Sequence, residues 1–366
     1  MIISEVISFF EELAHPSLQE SYDNAGLIVG DPGAVCKGIL VALDATEEVI
    51  AEAADRGCNL VVAHHPVVFK GLKRISGSGY VGRTVISAIR KDIAIYALHT
   101  NLDNVLEGVN GMIASKLGLQ NCRVLDEKPG TLKKLYTCVP FKHLETVRDS
   151  IFKVGAGQLG KYSECSFNTV GRGTFKAGEG ADPFVGEIGK RQEEEEVRLE
   201  IVFPSWKETQ VVRALKYSHP YEEVAYEVIS LDNRYSALGS GLIGELPAEM
   251  PEKEFLNQLH QVFEVPVLRH TALTGRKLKT IAVCGGAGSF LTSKALGAGA
   301  QAFVSADFKY HEFFDAEGRI LIADIGHYES EQYTIDLLKA KLEEKFPTFA
   351  VLKTGVNTNP VRYSWL

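Results

Sequence analysis

GILVALDATEEVIAEAADRGCNLVVAHH, residues 38 to 65, decides the fold. An apolar run ends at Asp44, and Val49, Ile50, Ala53 and Ala54 then recur at helical spacing. Gly57 supplies a helix stop, and a second apolar run ends at His64 and His65. The segment reads as strand, helix, strand. Unbroken apolar strands belong to sheets covered on both faces, and a short helical crossover favours parallel pairing.

The same unit recurs in TIAVCGGAGSFLTSKALGAGAQAFVSADF, residues 280 to 308, with Gly299 as the stop and Asp307 at the strand end. Asp44 to His65 and Gly286 to Asp307 both span 21 positions, which supports a duplication. Each copy leads to a further apolar strand with a histidine just past its end: DIAIYALHTNLDN reaches His99, and RILIADIGHYES reaches His327. Sites in such sheets lie beyond the carboxyl ends of the strands. His64, His65, His99, Asp103, Asp307 and His327 all fall there.

Between the copies the texture changes. LYTCVP reads as a strand, Leu144, Val147, Ile151 and Val154 as a helix face, and CSFNTV and VRLEIVFP as strands. A helix opened by Ser205 runs through Lys216, and EVAYEVISL is a last strand. This βαββαβ order is that of a ferredoxin-like module. The expected division is residues 1–125 and 247–366 for the two halves of the main α/β domain, with the insert at 126–246.

At 366 residues and 45% apolar content, two domains are the default. The net charge of -8, from 47 acidic and 39 basic residues, argues against an electrostatic grip on nucleic acid or anionic lipid. The opening stretch places Ile3, Val6, Ile7, Phe10 and Leu13 at helical spacing without a basic leader, so it reads as an amphipathic helix and not a signal. No apolar run reaches the roughly 18 residues a membrane span needs. Six scattered cysteines without CxxC pairs suit a reducing compartment, so a cytoplasmic protein is expected.

The chemistry concentrates at the strand ends. In the last helix, residues 327 to 346, the core stripe is Ile335, Leu338 and Leu342; counting back by fours from Ile335 gives Glu331 and then His327. A carboxylate on a buried stripe is costly unless paired, and a histidine one turn earlier shares that problem. A metal would answer both. Vicinal histidines on a strand point to opposite sides, so at its end His64 and His65 serve two ions or turn together.

His64, His65, Asp103, His327 and Glu331 form a nitrogen and oxygen donor set without thiolate. It suits zinc, iron, manganese, cobalt or nickel, and is right in number for two divalent ions sharing a carboxylate. Such a pair activates water for hydrolysis.

Other residues stay open to two readings. His99 is an acid/base or ligand-orienting group, or simply a strand-end histidine. Asp44 orients a ligand histidine or caps the helix that follows. Gly285, Gly286 and Gly288 offer backbone N–H to a phosphate or make a tight turn. Asp307 and His311 line the pocket or cap a helix. The acidic run Glu193 to Glu196 reads as a solvated loop, and His219 as part of a turn.

YDNAGLIVGD (22–31), AHHPVVF, HTNLDN, CGGAGS, SADFKYHEF and GHYESE, in that order around an insert, resemble the NIF-three-like proteins, known in bacteria as GTP cyclohydrolase I type 2 homologues. The resemblance covers the whole chain; some members carry Trp where Tyr22 stands. It implies a dinuclear site on His64, His65, Asp103, His327 and Glu331. It also implies a duplicated, intertwined α/β fold, a homohexamer and a CutA-like or PII-like insert. The implied reaction hydrolyses GTP at C8, releases formate and leads to dihydroneopterin triphosphate. A non-enzymatic metal-binding, delivery or regulatory protein and a metal-dependent phosphoesterase are the alternatives.

Overall fold

The computed structural model describes residues 1–364. The chain divides into two compact units, Met1–Glu127 with Ser236–Leu366, and Lys128–Tyr235. No helix among the described residues is long and apolar enough to cross a membrane.

The first unit is mixed α/β with two sheets. In one, the strand order is Gly26–Val29, Ala94–Ala97, Leu60–His65, Ile39–Asp44, Val351–Lys353. All neighbours pair in parallel except Gly26–Val29, which lies antiparallel on the edge. The strands Ile39–Asp44 and Leu60–His65 are apolar on both faces because both faces are covered. Helix Glu47–Asp55 buries Val49, Ile50 and Ala53 in a cluster with Leu40, Val61 and Ile95.

The second sheet repeats the arrangement with Lys277–Ala287, Ala302–Ala306 and Leu321–Asp324 in parallel. Its other neighbours are Arg269–His270 beside Leu321–Asp324, and Gly239–Pro251 then Gln120–Glu127 beyond Lys277–Ala287. The halves exchange strands. Val351–Lys353, from the end of the chain, completes the first sheet, and Gln120–Glu127, from the first half, completes the second.

The second unit runs strand Leu132–Pro140, helix Leu144–Lys153, strands Phe167–Lys176 and Arg191–Pro204, helix Glu208–Ser218 and strand Tyr226–Ser230. Phe167–Lys176, Arg191–Pro204, Leu132–Pro140 and Tyr226–Ser230 form one antiparallel sheet in that order. Val147, Ile151, Val211 and Leu215 bury one helix face each against Leu135, Leu199 and Phe203.

Three expectations are corrected. Residues 236–246 belong to the first unit, because the strand Gly239–Pro251 pairs with Gln120–Glu127 on one side and Lys277–Ala287 on the other. The acidic run Glu193–Glu196 lies within a strand, and Glu196 is buried, accepting a hydrogen bond from the Tyr221 hydroxyl at 2.8 Å. The helix expected over 327–346 is two, His327–Glu331 and Thr334–Lys345. The break coincides with side chains tied elsewhere: Gln332 donates to the Phe263 carbonyl and the Tyr333 hydroxyl to that of Val262, both at 3.0 Å.

Candidate metal centre

The parallel strands point their carboxyl ends at one another's side of a cavity of about 1060 Å³, lined by His65, His99, Asp103, His327 and Glu331 among others. His64 and His65 end one strand, Asp103 ends the one-turn helix after Ala94–Ala97, and His327 and Glu331 occupy successive turns of their short helix. All five expected donors meet there.

Glu331 is the centre of the arrangement. Its Oε2 lies 3.0 Å from His65 Nε2 and 3.1 Å from His327 Nε2, and its Oε1 lies 3.7 Å from His64 Nε2. Asp103 Oδ1 is likewise 3.7 Å from His64 Nε2. Two groups therefore share Glu331: His64 with Asp103, and His65 with His327.

Whether a cation fits is answered by the atoms left over. His64 Nε2 and Asp103 Oδ1 are buried without a hydrogen-bond partner, which costs about 1–3 kcal/mol for each such group in a cation-free protein. His65 Nε2 and His327 Nε2, 3.3 Å apart, both converge on Glu331 Oε2, which pairs with them in the cation-free protein only while they carry protons. A divalent ion would match the two atoms, His64 Nε2 and Asp103 Oδ1, that the protein leaves without a partner.

The outer nitrogens are all anchored. Nδ1 of His64 meets the Leu98 carbonyl, Nδ1 of His65 meets Asp44, and Nδ1 of His327 meets Asp307, each at 2.7 Å. Donation from Nδ1 turns Nε2 inward with its lone pair free, as metal-ligating histidines require. Asp44 thus orients His65, and the helix cap is the Thr46 hydroxyl instead, accepting from the Val49 amide. Asp307 lies in the cavity wall; His311 packs with Tyr310 and Phe314 outside it.

Electrostatics follow the same geometry. Burial works against the His65 imidazolium, but hydrogen bonds to Asp44 and Glu331 carry its pKa up to about 9. For His327 burial is likewise outweighed, by the Glu331 charge and the Asp307 bond, reaching about 11. Burial and the neighbouring Glu331 raise Asp103 to about 7. Glu331 itself is held well below the usual carboxylate range by His327 and His64 despite its burial. Without a cation, the centre holds protons in its place.

The glycine loop does something other than expected. The Gly285 amide donates to Asn110 Oδ1 at 2.9 Å and the Gly286 amide to Ser330 Oγ at 3.0 Å, so neither is free for a phosphate. These glycines permit close approach. A Cβ on Gly286 would stand 2.5 Å from Glu331 Oε1, and one on Gly288 would stand 2.3 Å from Ser305 Oγ.

Sequence reasoning gave no chemistry to Asp23. Its Oδ1 meets His99 Nδ1 at 2.7 Å, and its Oδ2 accepts from the Thr100 amide at 3.0 Å. The signal was the YDNAG stretch, whose Asp lies 76 positions from its partner.

The sequence profile of the family described as Duf34/NIF3 (NGG1p interacting factor 3) matches residues 1–360. The chain is 38% identical over 368 residues to a Halalkalibacterium halodurans protein named GTP cyclohydrolase 1 type 2 homolog, covering 98% of each. A Bacillus subtilis protein of the same name is 36% identical, again over 98% of each. Among solved structures, a Bacillus cereus protein related to NIF3 superposes with a TM-score of 0.87 at 36% identity, over 100% of this chain and 99% of that one. The chain belongs to the Duf34/NIF3 family.

Proposed function

We propose that the protein is a dinuclear metal-dependent hydrolase of a nucleotide-like substrate. His64, Asp103 and Glu331 would hold one divalent ion, and His65, His327 and Glu331 the other. The observation that carries this reading is the buried Glu331 carboxylate, each of whose oxygens faces a different set of imidazoles. Two bound cations would supply Lewis acidity and lower the pKa of a water between them. Nitrogen and oxygen donors admit zinc, iron, manganese, cobalt or nickel.

The chain's own residues do the rest. Asp44, Asp307 and the Leu98 carbonyl hold the ligand rings in one tautomer and orientation. His99 would relay a proton to and from the substrate. Tyr22, Phe69 and Phe290 line the cavity and offer flat surfaces to a heteroaromatic ring. The name borne by the relatives, GTP cyclohydrolase 1 type 2 homolog, supports GTP as substrate. The reaction in this reading is hydrolysis with release of formate, leading to dihydroneopterin triphosphate. The same reading has the protein act in the cytoplasm as a homohexamer. Its second unit is a ferredoxin-like, CutA-like or PII-like module, supported by the βαββαβ order and the central position of Leu132–Pro140 and Arg191–Pro204 in the sheet.

The test is incubation of metal-loaded protein with GTP and with simple phosphodiesters. Formate from GTP supports the reading; a phosphomonoester in its place identifies a phosphoesterase. Ion exchange with neither product identifies a carrier. His65→Ala and Glu331→Ala should each deplete bound metal by elemental analysis and abolish turnover, with unchanged circular dichroism. Full metal content in either variant removes that residue from the ligand set.

A further inference from the structure

His99 stands beside the proposed ligands without joining the Glu331 group. Its ring lies 5.4 Å from those of His64, His65 and Phe69, and it lines the cavity. What distinguishes it is the group behind it. The Asp23 side chain is fully buried and is surrounded by donors: the Asn24 amide and His99 Nδ1 at 2.7 Å on Oδ1, and the Thr100 amide and hydroxyl at 3.0 and 2.5 Å on Oδ2. A carboxylate that accepts only from N–H and O–H groups stays ionised. Although burial opposes it, the bonds to His99 and Thr100 bring the pKa of Asp23 down to about 2.

An ionised carboxylate at 2.7 Å can face only a protonated ring nitrogen, so the proton of a neutral His99 must sit on Nδ1. Nε2 is left with a lone pair. The backbone keeps the ring there: Asn101 Oδ1 accepts from the His99 amide at 2.9 Å, and the Asn101 side-chain amide donates to the Ala14 carbonyl at 2.7 Å.

We propose that Asp23 is a positioning residue that locks His99 in the Nδ1–H tautomer, making His99 Nε2 the atom that first accepts and then returns the catalytic proton. This use of the proton rests on the hydrolase reading above. As a water oxygen bonds to the substrate carbon, its proton passes to Nε2. When the carbon–nitrogen bond breaks, the same proton passes to the departing nitrogen, and His99 ends neutral as it began. Between the two transfers Asp23 holds the imidazolium. His99 is therefore a base before it is an acid, whereas a histidine locked as Nε2–H could only donate first.

The tautomer is read directly by nitrogen-15 NMR of full-length, zinc-loaded protein labelled at histidine. Wild type should show the His99 Nδ1 protonated and Nε2 bare. Asp23→Asn, whose amide can present N–H to Nδ1, should invert that pattern, and Asp23→Glu should restore it at least in part. Turnover in Asp23→Asn should fall about 100-fold or more in kcat, with KM within about threefold and metal content unchanged. A wild-type Nε2–H, an unchanged tautomer in Asp23→Asn, or loss of metal in that variant overturns the proposal. If Asp23→Asn fails to fold, the wild-type spectrum and Asp23→Glu still decide. Because the spectrum needs no turnover, wild-type protein that makes no formate defeats the hydrolase reading and leaves the tautomer assignment standing.

Discussion

Glu331 is 3% exposed at its side chain and carries a negative charge that burial alone would forbid. Its neighbours meet that cost with imidazolium protons when no cation is bound, and this sets opposite pH dependences for two properties. In the metal-free protein the His65 pKa of about 9 exceeds its unfolded value of about 6.5. The stabilisation is therefore complete below pH 6.5 or so and is lost as the pH rises through about 9. Metal binding needs the neutral ring, so metal affinity rises over the same interval. Melting temperatures of stripped and zinc-loaded protein should diverge between pH 6.5 and 9, and convergence as the pH rises would contradict the assignment. The anchors behind the rings give a second expectation. Asp44→Asn and Asp307→Asn should each weaken metal binding about 10- to 100-fold while leaving the fold intact, as measured by competition with a chromogenic chelator. Loss of the Thr358 hydroxyl, which donates to Asp44 Oδ2 at 2.5 Å, should give a smaller decrease in the same assay.

The elements carry these side chains with little freedom, and the end of the strand Lys277–Ala287 leaves little room beside them. Gly286 has φ +59°, and an added Cβ would reach Glu331 Oε1 at 2.5 Å and His327 Cε1 at 3.2 Å. Gly286→Ala should destabilise the protein by about 1–3 kcal/mol from backbone strain and contact, and should deplete metal. Gly297→Ala, where a Cβ meets nothing within 4 Å, should do neither. The strand ends that hold His64, His65 and His327 were legible in the sequence because unbroken apolar runs and their helical crossovers leave a period that survives without coordinates. The spacing of His327 and Glu331 was legible for the same reason. Asp23 was not, since its partner lies 76 positions away and a lone carboxylate in a loop has no periodicity to betray it. Asp44 was open between two roles because an aspartate just before a helix start reads as its cap, and its partner His65 lies 21 positions away. The acidic run was misread as a loop because four successive charges mask the alternation that exposes Glu193 and Glu195 and buries Glu196.

At the scale of the molecule, each of the two sheets of the first unit takes a strand from the other half of the chain, whereas the second unit interrupts one of them at a single place. Glu127 and Gly239 are paired residues of adjacent antiparallel strands, so the chain leaves and re-enters the first unit between hydrogen-bonded partners. Between them, only Ser236, Ala237 and Leu238 belong to the first unit, and Leu238 bridges to Val105 while the Ala237 carbonyl accepts from the Leu106 amide. Joining Glu127 directly to Ser236 would leave a three-residue hairpin connection, a length antiparallel pairs commonly adopt. The excised residues 128–235 take with them a core of their own, centred on Leu135, Val147, Leu199, Phe203 and Leu215, and none of the five proposed ligands. The shortened protein should therefore fold, and should bind metal with the stoichiometry of the full chain by elemental analysis. If it folds but loses metal, the centre depends on the second unit and the ligand assignment is incomplete. A glycine substituted into the three-residue turn, where a positive φ costs it nothing, should raise the stability if junction strain is the limiting cost, and thermal melts of the two junctions would show it.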